Sequence, residues 1–286
     1  MSTPEQNTEV IRRLAPGTEK GSETFKTITG LWKQRRLVWE MARRELTDMH
    51  AGQTVGIVWL LAHPLLQFVV YAFLFTTVFQ VRIAGKGPED YLIYLFCGLA
   101  PWLMTQDILS RTPNTIIANQ SIVKKVMFPL EVLVCKTVVA SVLVQSILMV
   151  CAFVFIFISR GTFPLIYLLL PVVLLMHLCL LWGMALILSA ITPYFRDTPE
   201  IVRIFVTINV YLLPILYLPE AVPRSLGVLL NLNPFSHLIW CYQDVLYFNE
   251  IAHPYSWLVF SIFSIGMLVS GSYIFVRLRH YFASVL

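Results

Sequence analysis

The sequence predicts an all-α polytopic membrane protein: six transmembrane helices, an N-terminal amphipathic interface helix, and a re-entrant outer hairpin between spans five and six. Three observations predict it. Of the 286 residues 57% are hydrophobic and 13% charged, against about a quarter charged in a soluble domain. Long apolar runs recur down the chain, several near the ~20 residues that cross a hydrocarbon core of about 30 Å. Cations also crowd into alternate connecting segments.

Residues 1–30 are polar, with Pro4, Pro16, Gly17 and Gly21, and lack the short apolar core of a cleavable signal peptide. They are expected to form a disordered cytoplasmic tail. Residues 31–51 read as an amphipathic helix. Apolar Leu31, Val38, Ala42 and Met49 recur near a 3.6 period, while Lys33, Arg36, Glu40, Arg43 and Arg44 take the other faces. Trp32 and Trp39 are seven apart and share a side. Such a helix lies in the headgroup layer with indoles inward and cations toward anionic lipid. Trp32, Arg35, Arg36, Trp39, Arg43 and Arg44 are its candidate interface residues.

A membrane domain follows over residues 52–286, with spans expected at 56–79, 91–110, 131–158, 164–191, 201–218 and 256–276. Pro101 is expected to kink the second. Between the fifth and sixth, apolar pieces within 222–248 are too short to cross and are broken by Asn231, Asn233 and Pro234, which suits a hairpin that dips in from one side. With the N-terminus inside, inner segments hold sixteen of the 21 lysines and arginines. The outer ones hold only Arg82, Lys86, Arg160 and Arg224. Both termini are therefore expected in the cytoplasm, and the hairpin enters from outside. The net charge of +5 follows from inner loops facing anionic lipid and does not imply nucleic-acid binding. Lys136, just inside the third span, is expected to snorkel to the inner interface.

The chemistry that is missing narrows the function. No GxxxxGK[ST] phosphate loop occurs; Gly17-Thr18-Glu19-Lys20-Gly21-Ser22 has the wrong order and spacing. The six histidines make no HExxH, and the five cysteines make no CxxC, so no metal site or disulfide framework is expected. No span carries a carboxylate near its centre, which disfavours proton-driven transport, and no serine sits in a nucleophile elbow. Asp107 and Arg111, four apart, are expected to pair. His177, inside the fourth span, either hydrogen-bonds a neighbouring helix or serves function.

Aromatic and weakly polar residues do occupy the spans. Gln67, Tyr71 and Phe75 follow one side of the first; Thr207, Tyr211 and Pro214 share a side of the fifth, with Tyr217 near it. Rings with polar tips suit the CH faces and hydroxyls of sugars, and equally suit helix packing. The segment 111–129, the largest inner one after the tail, is too apolar for a free linker and suits a short helix that docks on a cytoplasmic partner.

An ordered set of local marks carries a resemblance. It comprises Arg44-Glu45-Leu46, Gly52-Gln53-Thr54-Val55-Gly56 with Trp59 and Pro64, and Gly98-Leu99-Ala100-Pro101-Trp102. It continues with Asn119 through Pro129 and Glu131, then Phe195-Arg196-Asp197, then Asn233-Pro234. From about Trp32 onward the chain resembles the membrane subunits of bacterial ABC transporters that export polysaccharides and polyol-phosphate polymers: O-antigen, capsule and teichoic acid exporters. Two places depart from that pattern. Met49-His50 stands where members often carry a basic-aromatic pair, and Gln243 where many carry an arginine.

The resemblance implies six spans per subunit, a homodimer, and two copies of a separate cytoplasmic ATPase. That partner binds ATP and Mg; this chain binds no cofactor and is not itself an enzyme. Asn114, Asn119, Ser121, Lys124, Lys125, Phe128, Pro129 and Glu131 would form the ATPase coupling segment. Asn233, Pro234 and Tyr242 would belong to the outer gate, and Gln67, Tyr71, Phe75, Thr207, Tyr211 and Tyr217 would line the glycan conduit. The expected location is the bacterial cytoplasmic (inner) membrane, in contact with membrane lipid and a lipid-linked glycan, most simply O-antigen. Capsule or teichoic acid export, drug or lipid export on the same fold, a membrane-embedded transferase and an accessory scaffold are the alternatives.

Overall fold

A computed structural model of the chain describes residues 32–48, 58–81, 83, 87–125, 128–217 and 224–286. The expected tail, the link 49–57 with its glycines, the loop residues 84–86 and the residues 218–223 ahead of the hairpin lie outside these. The described residues are helical and contain no strand. The helices are α1 (Arg35–Asp48), α2 (Val58–Phe73), α3 (Pro88–Arg111), α4 (Thr115–Ala118), α5 (Gln120–Lys125), α6 (Glu131–Arg160), α7 (Leu170–Ile191), α8 (Thr198–Asn209), α9 (Arg224–Leu232), α10 (Pro234–Gln243), α11 (Pro254–Leu278) and α12 (Phe282–Val285).

Local chemistry fixes the ends. Pro88 opens α3, and Asp90 turns back to accept the Gly87 N–H at 3.0 Å. Its first turn holds Glu89 and Asp90 and its last Arg111, both signs matched to the helix dipole. Glu131 and Arg160 do the same for α6, which stops at Gly161 with φ +63°, a left-handed turn that favours glycine. Asn233 caps α10 by accepting the Phe235 N–H at 3.1 Å, with Pro234 in the first turn.

Among the described residues four helical stretches are long and apolar enough to cross a membrane: 89–118, 131–160, 165–191 and 254–281. The first is the least apolar and the most hidden. Its core window is 83% buried, against 39%, 28% and 28% for the others. So α3 runs through the middle of the protein with its Tyr91, Tyr94, Trp102 and Thr105 enclosed. The oilier α6, α7 and α11 surround it and leave Val154, Leu175 and Ile262 on the outer surface. That arrangement suits hydrocarbon, where lipid replaces water around apolar faces and polar groups turn inward.

The closest helix contact joins α7 to α11. A Cβ on Gly183 would collide with the Met267 backbone, and one on Gly271 with the Gly183 carbonyl. α10 packs on both α3 and α11, α3 lies on α6, and α1 lies along α6 with Val38 and Ala42 buried.

The remaining stretches differ from simple spans. α2 continues through a π turn at Leu74–Val78. α8 ends at Asn209, and after a single 3-10 turn Leu213 is extended. That fits the exclusion of helical backbone before Pro214. Pro101, expected to kink the second span, sits inside α3, which continues through it with the Thr105 hydroxyl donating to the Pro101 carbonyl at 2.9 Å.

Candidate functional site

The aromatic row on α2 and the π turn after it faces α3 and the turn that follows α8. Tyr71 and Phe75 stack with centroids 6.5 Å apart, and Phe75 meets Tyr91 at 5.7 Å. The Tyr71 hydroxyl lies beside Gln67 and within electrostatic range of Tyr211. Tyr211 is 65% exposed. The Tyr217 hydroxyl donates to the Tyr211 carbonyl at 3.2 Å. Gln67, Tyr71, Phe75, Tyr211 and Tyr217 thus fall in one neighbourhood. Thr207 stands one turn below, exposed, with its hydroxyl on the Arg203 carbonyl at 2.8 Å. Ile204, Phe205 and Ile208 of α8 are bare, as are Val69, Val70 and Phe73, which lie on the side of α2 away from Tyr71.

Behind this surface lies a polar layer that sequence spacing does not reveal as a whole. The chain after α8 turns away from helix and leaves carbonyls in need of donors. Tyr91 donates to the Leu216 carbonyl at 2.9 Å, Tyr94 to that of Pro214 at 3.0 Å, and the Gln243 amide to Pro214 at 2.8 Å. Asn233 donates to Asn209 Oδ1 at 2.8 Å, so the N-cap of α10 is tied to α8. Tyr91 and Tyr94, three apart at the head of a span, carry the signal that would have revealed one side of this layer.

α10 is buried from Phe235 to Gln243. Tyr242 points inward, its hydroxyl 3.0 Å from His177 Nδ1, and His177 Nε2 is 2.9 Å from the Thr105 hydroxyl. His177 therefore joins α3, α7 and α10 by hydrogen bonds. Asp244, fully buried just after α10, accepts the His253 N–H at 3.1 Å, His253 Nδ1 at 2.7 Å and Trp257 Nε1 at 2.9 Å. These bonds fasten the end of α10 to the start of α11.

At the opposite end, α1 and the segment α4–α5 meet α6. Lys136, expected to snorkel, lies 3.3 Å from Glu45 and 3.4 Å from Asn119 Oδ1. Thr137 donates to the same carboxylate at 3.2 Å, and Asn119 to the Thr115 carbonyl at 2.8 Å. Asp107 and Arg111 pair at 2.9 Å. A cleft of about 590 Å³ opens between these groups, lined by Arg44, Asp48, Asn114 and Asn119 among others. Glu131 is buried and pairs with Arg279 from beyond α11. Phe128 packs on the core; Pro129 is half-buried and its carbonyl accepts the Val132 N–H at 3.0 Å. Asn114, Ser121 and Lys124 are exposed, while the Lys125 side chain lies outside the described residues. Trp32, Arg35, Arg36, Trp39, Arg43 and Arg44 are all exposed. The Arg35 guanidinium lies 5.5 Å from the Trp32 ring centre, and Arg44 is 3.5 Å from Asp48.

Comparison with known proteins adds a family and relatives. The sequence model of a family described as ABC-2 type transporter matches residues 36–247. The chain is 28% identical over 264 residues to the "O-antigen export system permease protein RfbA" of Myxococcus xanthus, covering 91% of this chain and 98% of that protein. It is 25% identical over 251 residues to a protein of the same name from Klebsiella pneumoniae, covering 86% of this chain and 93% of that one.

Proposed function

The chain belongs to the ABC-2 type transporter family, and on that premise we propose that it is the membrane subunit of an ATP-driven exporter of lipid-linked O-antigen. One observation carries the substrate: similarity to O-antigen export permeases extends over 98% of the Myxococcus protein, so it is not confined to one motif.

In this reading the chain has three parts: a cytoplasmic tail at 1–30, an interface helix at 31–51 and a six-span membrane domain at 52–286. The four long apolar helices are joined by two further spans built on α2 and α8. Both termini lie in the cytoplasm of a bacterial inner membrane, and α9–α10 form a re-entrant outer gate. Two copies pair across the bare face of α8. Tyr71, Phe75 and Tyr211, with Gln67, Thr207 and Tyr217, then border a path between them. Aromatic faces accept sugar CH surfaces while hydroxyl and amide tips accept and donate hydrogen bonds. A glycan slides more easily past such contacts than past a few strong charged ones.

A separate pair of ABC ATPase subunits binds ATP and Mg and drives the cycle. They hold Asn114, Ser121 and Lys124 of the exposed inner segment. The bonds from Asn119 to Lys136 to Glu45 pass movement of that segment to α6 and α1. The Asn209–Asn233 bond passes movement of α8 to the outer gate.

The test is genetic. Cells lacking this chain should lose surface O-antigen and accumulate lipid-linked glycan on the cytoplasmic side, and plasmid-borne copies should restore export. Normal surface O-antigen in the deletion strain would refute the substrate. Cysteine labelling of the two ends from the periplasmic side should fail in intact cells; labelling of either end would refute the topology.

A further inference from the structure

We propose that a groove between α1, α6 and α7 binds one anionic phospholipid of the inner leaflet, with an acyl chain in the trough and the phosphate on Arg35. The proposal rests on the membrane topology given above. The groove measures about 410 Å³, within the range of about 300–1,000 Å³ in which ligand sites bury most of a small molecule. Its walls are Trp32, Val38 and Trp39 on one side and Cys135, Val139 and Trp182 on the other. Arg35 is the one charged side chain among the described residues that line it.

Depth follows from helix geometry. Cys135 and Val139 stand four and eight residues into α6, so they lie about 6 and 12 Å along its axis from the inner end. Trp182 is nine residues before the end of α7, or about 14 Å. The trough therefore occupies the layer where acyl chains begin, and Arg35 stands at its rim. Three indoles at that depth match the aromatic belt of membrane proteins. Trp32 and Trp39 are 72% and 53% exposed, a poor state in water and a good one against lipid tails.

Charge chooses among occupants. Arg35 lines the rim, and Lys33 and Arg36 beside it are exposed. An apolar trough under a cationic rim complements an amphiphile with a negative head. A peptide fits badly, because the trough offers almost no polar partner for its backbone. A second copy of this chain, related by two-fold symmetry, would set cationic rim against cationic rim. The lipid anchor of an export substrate is the rival occupant; the glycan it carries has its proposed path along α2 and α8, and neither helix lines the groove. The bound lipid would hold the N-terminal half of α1 on α6, as Glu45 and Lys136 hold its C-terminal half.

The test is native mass spectrometry on the full chain, purified with its ATPase subunit from nanodiscs of equal phosphatidylglycerol and phosphatidylethanolamine. We expect one phosphatidylglycerol retained per copy in preference to phosphatidylethanolamine. Arg35→Glu, at an exposed position, should lower that preference at least about fivefold, the worth of one surface cation against anionic lipid. Val139→Trp should fill the trough and abolish retention; if it does not fold, Arg35→Glu decides alone. Retention without head-group preference, or preference unchanged in Arg35→Glu, would overturn the proposal. So would displacement of the lipid by equimolar polyisoprenoid phosphate, which would assign the groove to the substrate anchor. The assay reads no transport, so a failure of O-antigen export and a failure of lipid binding are separate results.

Discussion

Glu131 opens α6 and is buried, and its partner Arg279 arrives from the other end of the chain. Removing one partner of a buried pair costs more than removing both, because the survivor is left unsolvated. Arg279→Ala should therefore destabilise the detergent-solubilised protein more than the double change Glu131→Gln with Arg279→Met. The loss should fall below the roughly 3–5 kcal/mol of a fully enclosed pair, because the Arg279 side chain is 36% exposed and water screens it. Equal melting temperatures for the single and double variants would contradict this. Asp244 makes a parallel case. Asp244→Leu strands the His253 and Trp257 donors at about 1–3 kcal/mol per group, whereas Asp244→Asn keeps one acceptor and should recover part of the loss in the same melt. Such pairs were not readable in the linear sequence. Glu131 and Arg279 are 148 residues apart, and only the fold brings them together. Asp107 and Arg111 were readable, because four residues is one helical turn.

Helix ends and helix contacts had different visibility. Pro88, Asp90 and Gly161 mark their ends by residue type alone. The end of α8 at Asn209 fell short of the span expected to 218, although Pro214 was in view as a helix breaker. The centrality of α3 was hidden: apolar content ranks it last of the four long helices, and enclosure ranks it first. Apolar content measures what faces lipid, and α3 faces other helices. The α7–α11 contact gives an element-scale prediction. Gly183→Ala should cost about 1–3 kcal/mol of stability, as overpacked cores do, while Gly266→Ala, whose Cβ meets nothing within 4 Å, should be neutral. Matching melts for the two variants would contradict the close crossing. The Asn209–Asn233 bond gives another. If it transmits movement from α8 to the hairpin, the single alanine variants should reduce export by similar factors and the double variant should add little. Independent, multiplicative losses would show that the two residues act separately.

For the whole molecule, the aromatic neighbourhood around Tyr71 and Tyr211 was legible as spacing on two separate stretches. Its polar backing by Tyr91, Tyr94 and Gln243 was not, since it depends on where the chain turns after α8. The inner network of Glu45, Lys136 and Asn119 likewise unites segments that the sequence keeps apart. The account joins these into a passive path at one end and a lever at the other, with the ATP engine on a separate subunit. Its most direct test is reconstitution into sealed vesicles with the ABC ATPase subunit and lipid-linked O-antigen added from the ATPase side. The account predicts that glycan becomes accessible on the far side only with ATP and both subunits, and that alanine at both Tyr71 and Tyr211 slows this at least tenfold while ATP hydrolysis persists. Transport by this chain alone, or unchanged transport in the double-alanine variant, would contradict it.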